Sequence, residues 1–262
     1  WTGKRGSGKS TLLGQTLLDA IDQGQRVCAY SGELSAWRFK QWLALQAAGP
    51  EYVERCTDPR SGKEYWRVPA PVMEQIDQWW SGRFFLYDNR VAAASDENSI
   101  LSVFEYALRR YGCALFLVDN LMSARFSTSA DRDFYRAQSN FVGRLVEFAK
   151  RNESHVHLVA HPRKADKILD ADEVGGSGDI TNRADNVLAL DRLDEQKAAE
   201  KGYDAVLSVL KNRSFGESGR FGLIFDPSCR RYVRVGEEPK HYGWEYIKPI
   251  LTEVKSDGSE PF

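Results

Sequence analysis

The chain has 262 residues, 42% of them hydrophobic and 28% charged, which excludes a disordered or fibrous protein and suits one large domain or two small ones. Its 36 Lys and Arg against 37 Asp and Glu leave a net charge of −1, which excludes a general basic coat for nucleic acid but not a local basic groove. No apolar run reaches membrane-spanning length, and Cys28, Cys56, Cys113 and Cys229 form no CxxC pair, so no zinc site or disulfide framework is expected.

The chain opens on Trp1-Thr2-Gly3 with neither an initiator Met nor a leader, and reads as a piece of something longer. Residues 12–23 repeat apolar positions at helical spacing and stop at Gly24. A β-compatible run follows at 26–31, then a helix at 34–48. The stretch 50–70 is rich in Pro, Gly and charge and reads as a loop or variable insertion. Beyond it come a helix at 72–80, a strand at 83–87 and a helix at 97–111. Residues 114–118 (ALFLV) form the continuous apolar run of a strand buried on both faces. A long helix at 132–152 and a strand at 155–160 precede a polar, Gly-rich segment at 161–182. Strands at 186–190, 205–210 and 220–226 close the pattern, and residues 236–262 read as a polar tail. This alternation predicts an α/β fold, a mostly parallel doubly wound sheet with antiparallel C-terminal strands, in one unit over residues 1–235.

Gly3-Lys4-Arg5-Gly6-Ser7-Gly8-Lys9-Ser10 fits G-x-x-x-x-G-K-[ST]. Glycines let backbone N–H groups converge on a phosphate, Lys9 suits its β and γ oxygens, and Ser10 suits Mg²⁺. The helix that starts here points its positive end at the same charge. Such a loop needs a strand leading into it, and that strand is expected upstream. Asp119, at the end of the run 114–118, is placed as the partner carboxylate for the metal. Glu33 follows the strand at 26–31, which is expected beside the strand of the phosphate loop. There a carboxylate can polarise an attacking water, although an acidic residue opening a helix also satisfies the helix dipole.

The ordered strings GKRGSGKST, SGE, LFLVDN, HLVAHPRK, GGSGDITNRADNVLAL and KNRSFGESG resemble the RecA-type hexameric replicative helicases, in the Twinkle-like and phage primase–helicase branch. They span Gly3 to about Asp226. The resemblance implies a RecA-like core and ATP-driven 5′→3′ unwinding by a ring of subunits around single-stranded DNA, with ATP and Mg²⁺ between subunits. Matched by motif, Gly3, Gly6, Ser7, Gly8, Lys9, Ser10 and Thr11 form the phosphate loop, and Ser10 and Asp119 hold the metal. Glu33 is the catalytic carboxylate and His161 the γ-phosphate sensor. Lys211 and Arg213 are the basic pair inserted by a neighbour, Arg213 as the arginine finger, and Arg192 and Phe225 flank the adenine.

Arg163, Lys164 and Lys167, followed by Gly175-Gly176-Ser177-Gly178, suit a mobile loop that grips DNA phosphates; Arg125 and Arg132 are weaker candidates. No aromatic residue lies within 161–178, so base stacking there is not expected. No primase-type metal centre is visible, so priming would reside on a primase-like domain upstream. Phage or bacterial cytoplasm, or an organellar matrix, is the expected location. A RecA- or KaiC-like assembly that uses ATP as a switch without unwinding is the alternative.

Overall fold

The computed structural model describes residues 1–88, 96–124, 126, 131–161 and 178–246, with the backbone alone for 131–133, 178 and 179. Four parallel strands form the centre: β1 (Val27–Ser31), β4 (Phe84–Leu86), β5 (Leu115–Asp119) and β6 (His155–Leu158), in the order β4-β1-β5-β6. Their side chains alternate between faces, as strand geometry requires. Val27, Ala29 and Leu117 pack on one side with α1 (Lys9–Asp22), α2 (Ala36–Ala48) and α3 (Ala70–Trp80). Cys28, Tyr30, Phe116 and Val118 pack on the other, with α4 (Glu97–Tyr111) and α5 (Asp131–Arg151). Because both faces are covered, β1 and β5 are apolar up to their last residues, Ser31 and Asp119, which is why they stood out in the sequence.

A second, antiparallel sheet follows, in the order β10-β9-β8-β7. It comprises β7 (Asn186–Arg192), β8 (Ala205–Asn212), β9 (Gly219–Asp226) and β10 (Arg231–Arg234). Trp1 and Thr2 stitch the two sheets together. The Trp1 backbone N donates to the Leu158 carbonyl at 2.7 Å and its carbonyl accepts from Ala160 N at 2.9 Å. Thr2 N donates to Leu188 O at 2.8 Å and Thr2 O accepts from Leu190 N at 3.0 Å, in parallel register with β7. The segment leading into the phosphate loop is therefore a strand of the sheet, and the architecture is the predicted one.

The strand order corrects one expectation. β1 pairs with β4 and β5, so β5 and β6 stand between it and the phosphate-loop segment. Glu33 reaches the site from two strands away.

Other differences follow from exposure. The stretch 50–70 folds into a hairpin of β2 (Glu54–Thr57) and β3 (Glu64–Arg67), tied by the cross-strand pairs Arg67–Glu54 and Arg55–Glu64. Every residue of β3 is exposed, so no apolar alternation marked it. Helix α6 (Gly178–Arg183) falls in the segment read as polar loop, and α7 (Glu195–Lys201) and β10 had no expectation attached.

Core packing runs past residue 235. Tyr242 and Trp244 are buried against α1, α2 and α3. The Trp244 indole N–H donates to Ala47 O at 2.7 Å, and Asp22 Oδ1 accepts from Gly243 N at 2.8 Å. Trp244→Ala is expected to cost about 3–5 kcal/mol, the range for deleting a buried aromatic. Chemical denaturation reads this directly, and a cost below about 1 kcal/mol would show the segment to be a bystander. Residues 247–262 lie outside the described residues. Among the described residues no helix is long and apolar enough to cross a membrane.

Candidate active site

The phosphate loop runs from the Trp1–Thr2 segment into α1, and its glycines answer to specific neighbours. Gly3 (φ 139°) passes so close to β7 that a Cβ would collide with the Leu190 carbonyl oxygen. Gly8 (φ 91°) caps α1, and a Cβ there would strike the Tyr232 ring. Tyr232, from β10, donates its hydroxyl to Ser7 O at 3.1 Å and exchanges backbone bonds with the Gln15 side chain of α1 at 2.7 and 2.8 Å. The loop is thus held from behind by a strand far away in the sequence. No side chain caps α1, so its first-turn N–H groups remain for an anionic ligand.

Lys9 is buried, and its ammonium donates to Gly3 O at 2.9 Å and Lys4 O at 2.8 Å. Burial lowers its pKa, opposed by the charges of Asp119, Glu33 and Asp191. Asp119, 1% exposed at the end of β5, is pushed up to about 6. Burial is the main cause; a hydrogen bond from Ser10 opposes it, Glu33 adds to it and Lys9 opposes it. Its Oδ2 is buried without a hydrogen-bond partner among the described residues. An orphaned carboxylate oxygen is costly in a protein interior. Beside the Ser10 hydroxyl it forms the hard oxygen pair that suits Mg²⁺, an ion that takes its other ligands from water and phosphate. The residues present fit the metal.

Glu33, Asn120 and His161 meet at one junction. The Asn120 amide donates to Glu33 Oε1 and lies 3.1 Å from His161 Nε2, while His161 Nε2 and Glu33 Oε1 are 3.5 Å apart. Ser123 fixes the amide by donating its N–H to Asn120 Oδ1 at 3.1 Å and accepting from Asn120 N at 3.2 Å. With an amide hydrogen aimed at Nε2, that nitrogen is the acceptor and the imidazole is neutral, protonated on Nδ1. Burial, aided by Lys9, lowers the His161 pKa in the same sense, with Glu33 opposing. Asn120 was missed in the sequence, although it stands in the string LFLVDN directly after Asp119.

These groups line a cavity of about 640 Å³, together with Gly6, Gly8, Thr11, Arg5, Trp42, Met122 and Arg230. Gly3 and Ser7 lie behind the loop, against β7 and Tyr232. Among the described residues, Lys211, Arg213, Arg192 and Phe225 do not line it. Lys211 Nζ donates to Thr181 O at 2.9 Å, and Arg213 pairs with Asp185 at 2.6 Å and donates to Asn182 O at 3.0 Å, at the exposed end of β8. Phe225 packs on Tyr232 with ring centroids 5.0 Å apart, and the Arg192 charge is felt at the Tyr232 hydroxyl. That pair sits next to the loop through Tyr232 rather than in the cavity. Arg125, Arg163, Lys164, Lys167 and residues 175–177 lie outside the described residues, as does the side chain of Arg132.

No family model matches the chain. Among solved structures it is similar to a DnaB-like replicative helicase, described with its interactions with primase (TM-score 0.69, 15% identity, 88% of this chain and 57% of that one). It is also similar to a second helicase structure, an isolated ATPase domain (TM-score 0.68, 16% identity, 88% and 82% covered). A third likeness is to KaiC-like protein PH0186 from the archaeon Pyrococcus horikoshii OT3 (TM-score 0.59, 14% identity, 89% and 86% covered). The chain spans a little over half the length of the first of these. The RecA-like fold is shared with all three.

Proposed function

We propose that this chain is the ATPase motor of a replicative DNA helicase of the Twinkle-like and phage primase–helicase kind. In this reading copies of the chain form a hexameric ring, hydrolyse ATP between subunits and travel 5′→3′ on single-stranded DNA. The observation that carries it is the separation of two sets of charges. Lys9, Ser10, Asp119, Glu33 and His161 converge on one cavity, while Lys211 and Arg213 stand outside it on an exposed hairpin. A neighbouring copy's nucleotide is the natural recipient of that pair. The likeness to a replicative helicase and to a helicase ATPase domain supports the same reading.

In the proposed reaction the loop N–H groups and Lys9 hold the β- and γ-phosphates. Ser10 and Asp119 hold Mg²⁺, which neutralises charge on the phosphate oxygens when bound. Glu33 orients a water and takes its proton as the new P–O bond forms and the bond to the ADP oxygen breaks. Neutral His161 is placed to follow the γ-phosphate. Arg213 of the neighbour offsets the negative charge that develops in the transition state. Arg163, Lys164 and Lys167 are assigned to the DNA backbone, Arg192 and Phe225 to the adenine. A primase-like partner and a cytoplasmic or organellar-matrix setting belong to the same reading.

The likeness to a KaiC-like protein favours a second reading, an ATP-switched assembly that does not unwind. Purified protein is expected to turn over ATP faster on addition of single-stranded DNA and to displace a strand from a forked substrate. Turnover indifferent to DNA, with no displacement, would decide for the second reading.

A further inference from the structure

The cavity has a wall that the proposed reaction does not use. Its cations, Arg5, Lys9 and Arg230, outnumber its acids, Glu33 and Asp119. Arg230 comes from the turn between β9 and β10, at the opposite end of the described chain from the phosphate loop.

Three features of Arg230 are unusual together. Its backbone lies in the left-handed region (φ 57°), shared among the described non-glycine residues only with Glu153. A side chain in that conformation is strained, and such strain collects where a site requires the residue. Its guanidinium lies over the Trp42 ring, 3.7 Å from the centroid, so one face is occupied by α2. Its Nε is buried with no hydrogen-bond partner among the described residues. Trp42, like Arg230, lines the cavity. The backbone is pinned as well: the Gln46 side-chain amide donates to Arg230 O at 2.8 Å and to Thr11 O at 2.7 Å. The turn is thereby tied to the first turn of α1.

We infer that Arg230, held flat on Trp42, is a nucleotide-binding residue that offers its guanidinium edge to a phosphate of the triphosphate bound by the same chain. A planar cation with one face stacked and an unpaired N–H edge matches phosphate oxygens better than a base, because the fork donates hydrogen bonds and carries charge. Trp42 acts through Arg230 by holding that plane. The contact is made within one subunit, unlike that proposed for Arg213. The inference rests on the nucleotide reading of the cavity.

The test compares ATP, inorganic tripolyphosphate and adenosine as ligands of wild type, Arg230→Gly, Arg230→Gln and Lys9→Ala. Glycine relieves the left-handed turn, so Arg230→Gly is expected to melt at or above the wild-type temperature. It is expected to bind ATP and tripolyphosphate about tenfold or more weakly, the scale of one charge-assisted hydrogen bond, with adenosine unaffected. Arg230→Gln, without charge, should lose a similar factor. Wild-type affinity for tripolyphosphate in both Arg230 variants, with Lys9→Ala impaired, would overturn the role of Arg230 and leave the nucleotide site standing. If wild type binds none of the phosphates, the nucleotide reading and this inference fall together.

Discussion

Glu33→Gln is expected to lower ATP turnover by about 10²–10⁴-fold, the usual contribution of a positioned general base, with nucleotide affinity close to wild type. The geometry makes this a clean substitution. The glutamine carbonyl keeps an acceptor for the Asn120 amide, so the junction with His161 can persist while proton-accepting power is lost. The Glu33 side chain is half-exposed, so no packing is at stake. Single-turnover hydrolysis measured beside equilibrium ATP binding separates the effects. Turnover within a few-fold of wild type would remove Glu33 from the reaction and pass its role to another group on the cavity wall.

Arg213→Ala is expected to reduce turnover by about 10³-fold or more, the scale of an arginine supplied to a phosphoryl-transfer transition state. Arg213 is tied to Asp185 by an ion pair in which both side chains are 48% exposed, and exposed pairs contribute at most about 1 kcal/mol. Removing it leaves the fold intact, and releasing it towards a neighbour costs little. Mixing variant with wild-type subunits carries the decisive information. If the arginine acts on the next copy's nucleotide, activity falls more steeply than the fraction of wild type. A loss proportional to that fraction would place its role inside its own subunit.

Most of the scaffold was legible in the sequence. β1 and β5 are apolar almost to their ends because helices cover both faces, and the phosphate loop and Asp119 are local patterns. Strand order was not legible, because a period of two or 3.6 reveals an element and not its neighbours. Glu33 therefore falls in the expected cavity although the adjacency that pointed to it is absent. Tyr242 and Trp244 were hidden by their polar surroundings, and α7 has no buried residue to mark it. In the site, Asn120, Trp42, Arg230 and Tyr232 carried no local signal. Each gains its meaning from a partner brought close only by folding: Glu33 for Asn120, Trp42 and Arg230 for each other, Ser7 for Tyr232.

The two-residue stitch of Trp1 and Thr2 sets a route for force. Among the described residues β6 and β7 share no ladder of their own, and the backbone bonds of this segment join the parallel half to the antiparallel half. The segment continues without a break into the phosphate loop, and Tyr232 grips that loop from the antiparallel side. Pull applied to the β8–β9 hairpin, where Lys211 and Arg213 sit, therefore passes through the loop's own strand before it reaches the rest of the domain. The loop is a coupling in series between two plates, so load on the hairpin and strain at the phosphates share one mechanical path.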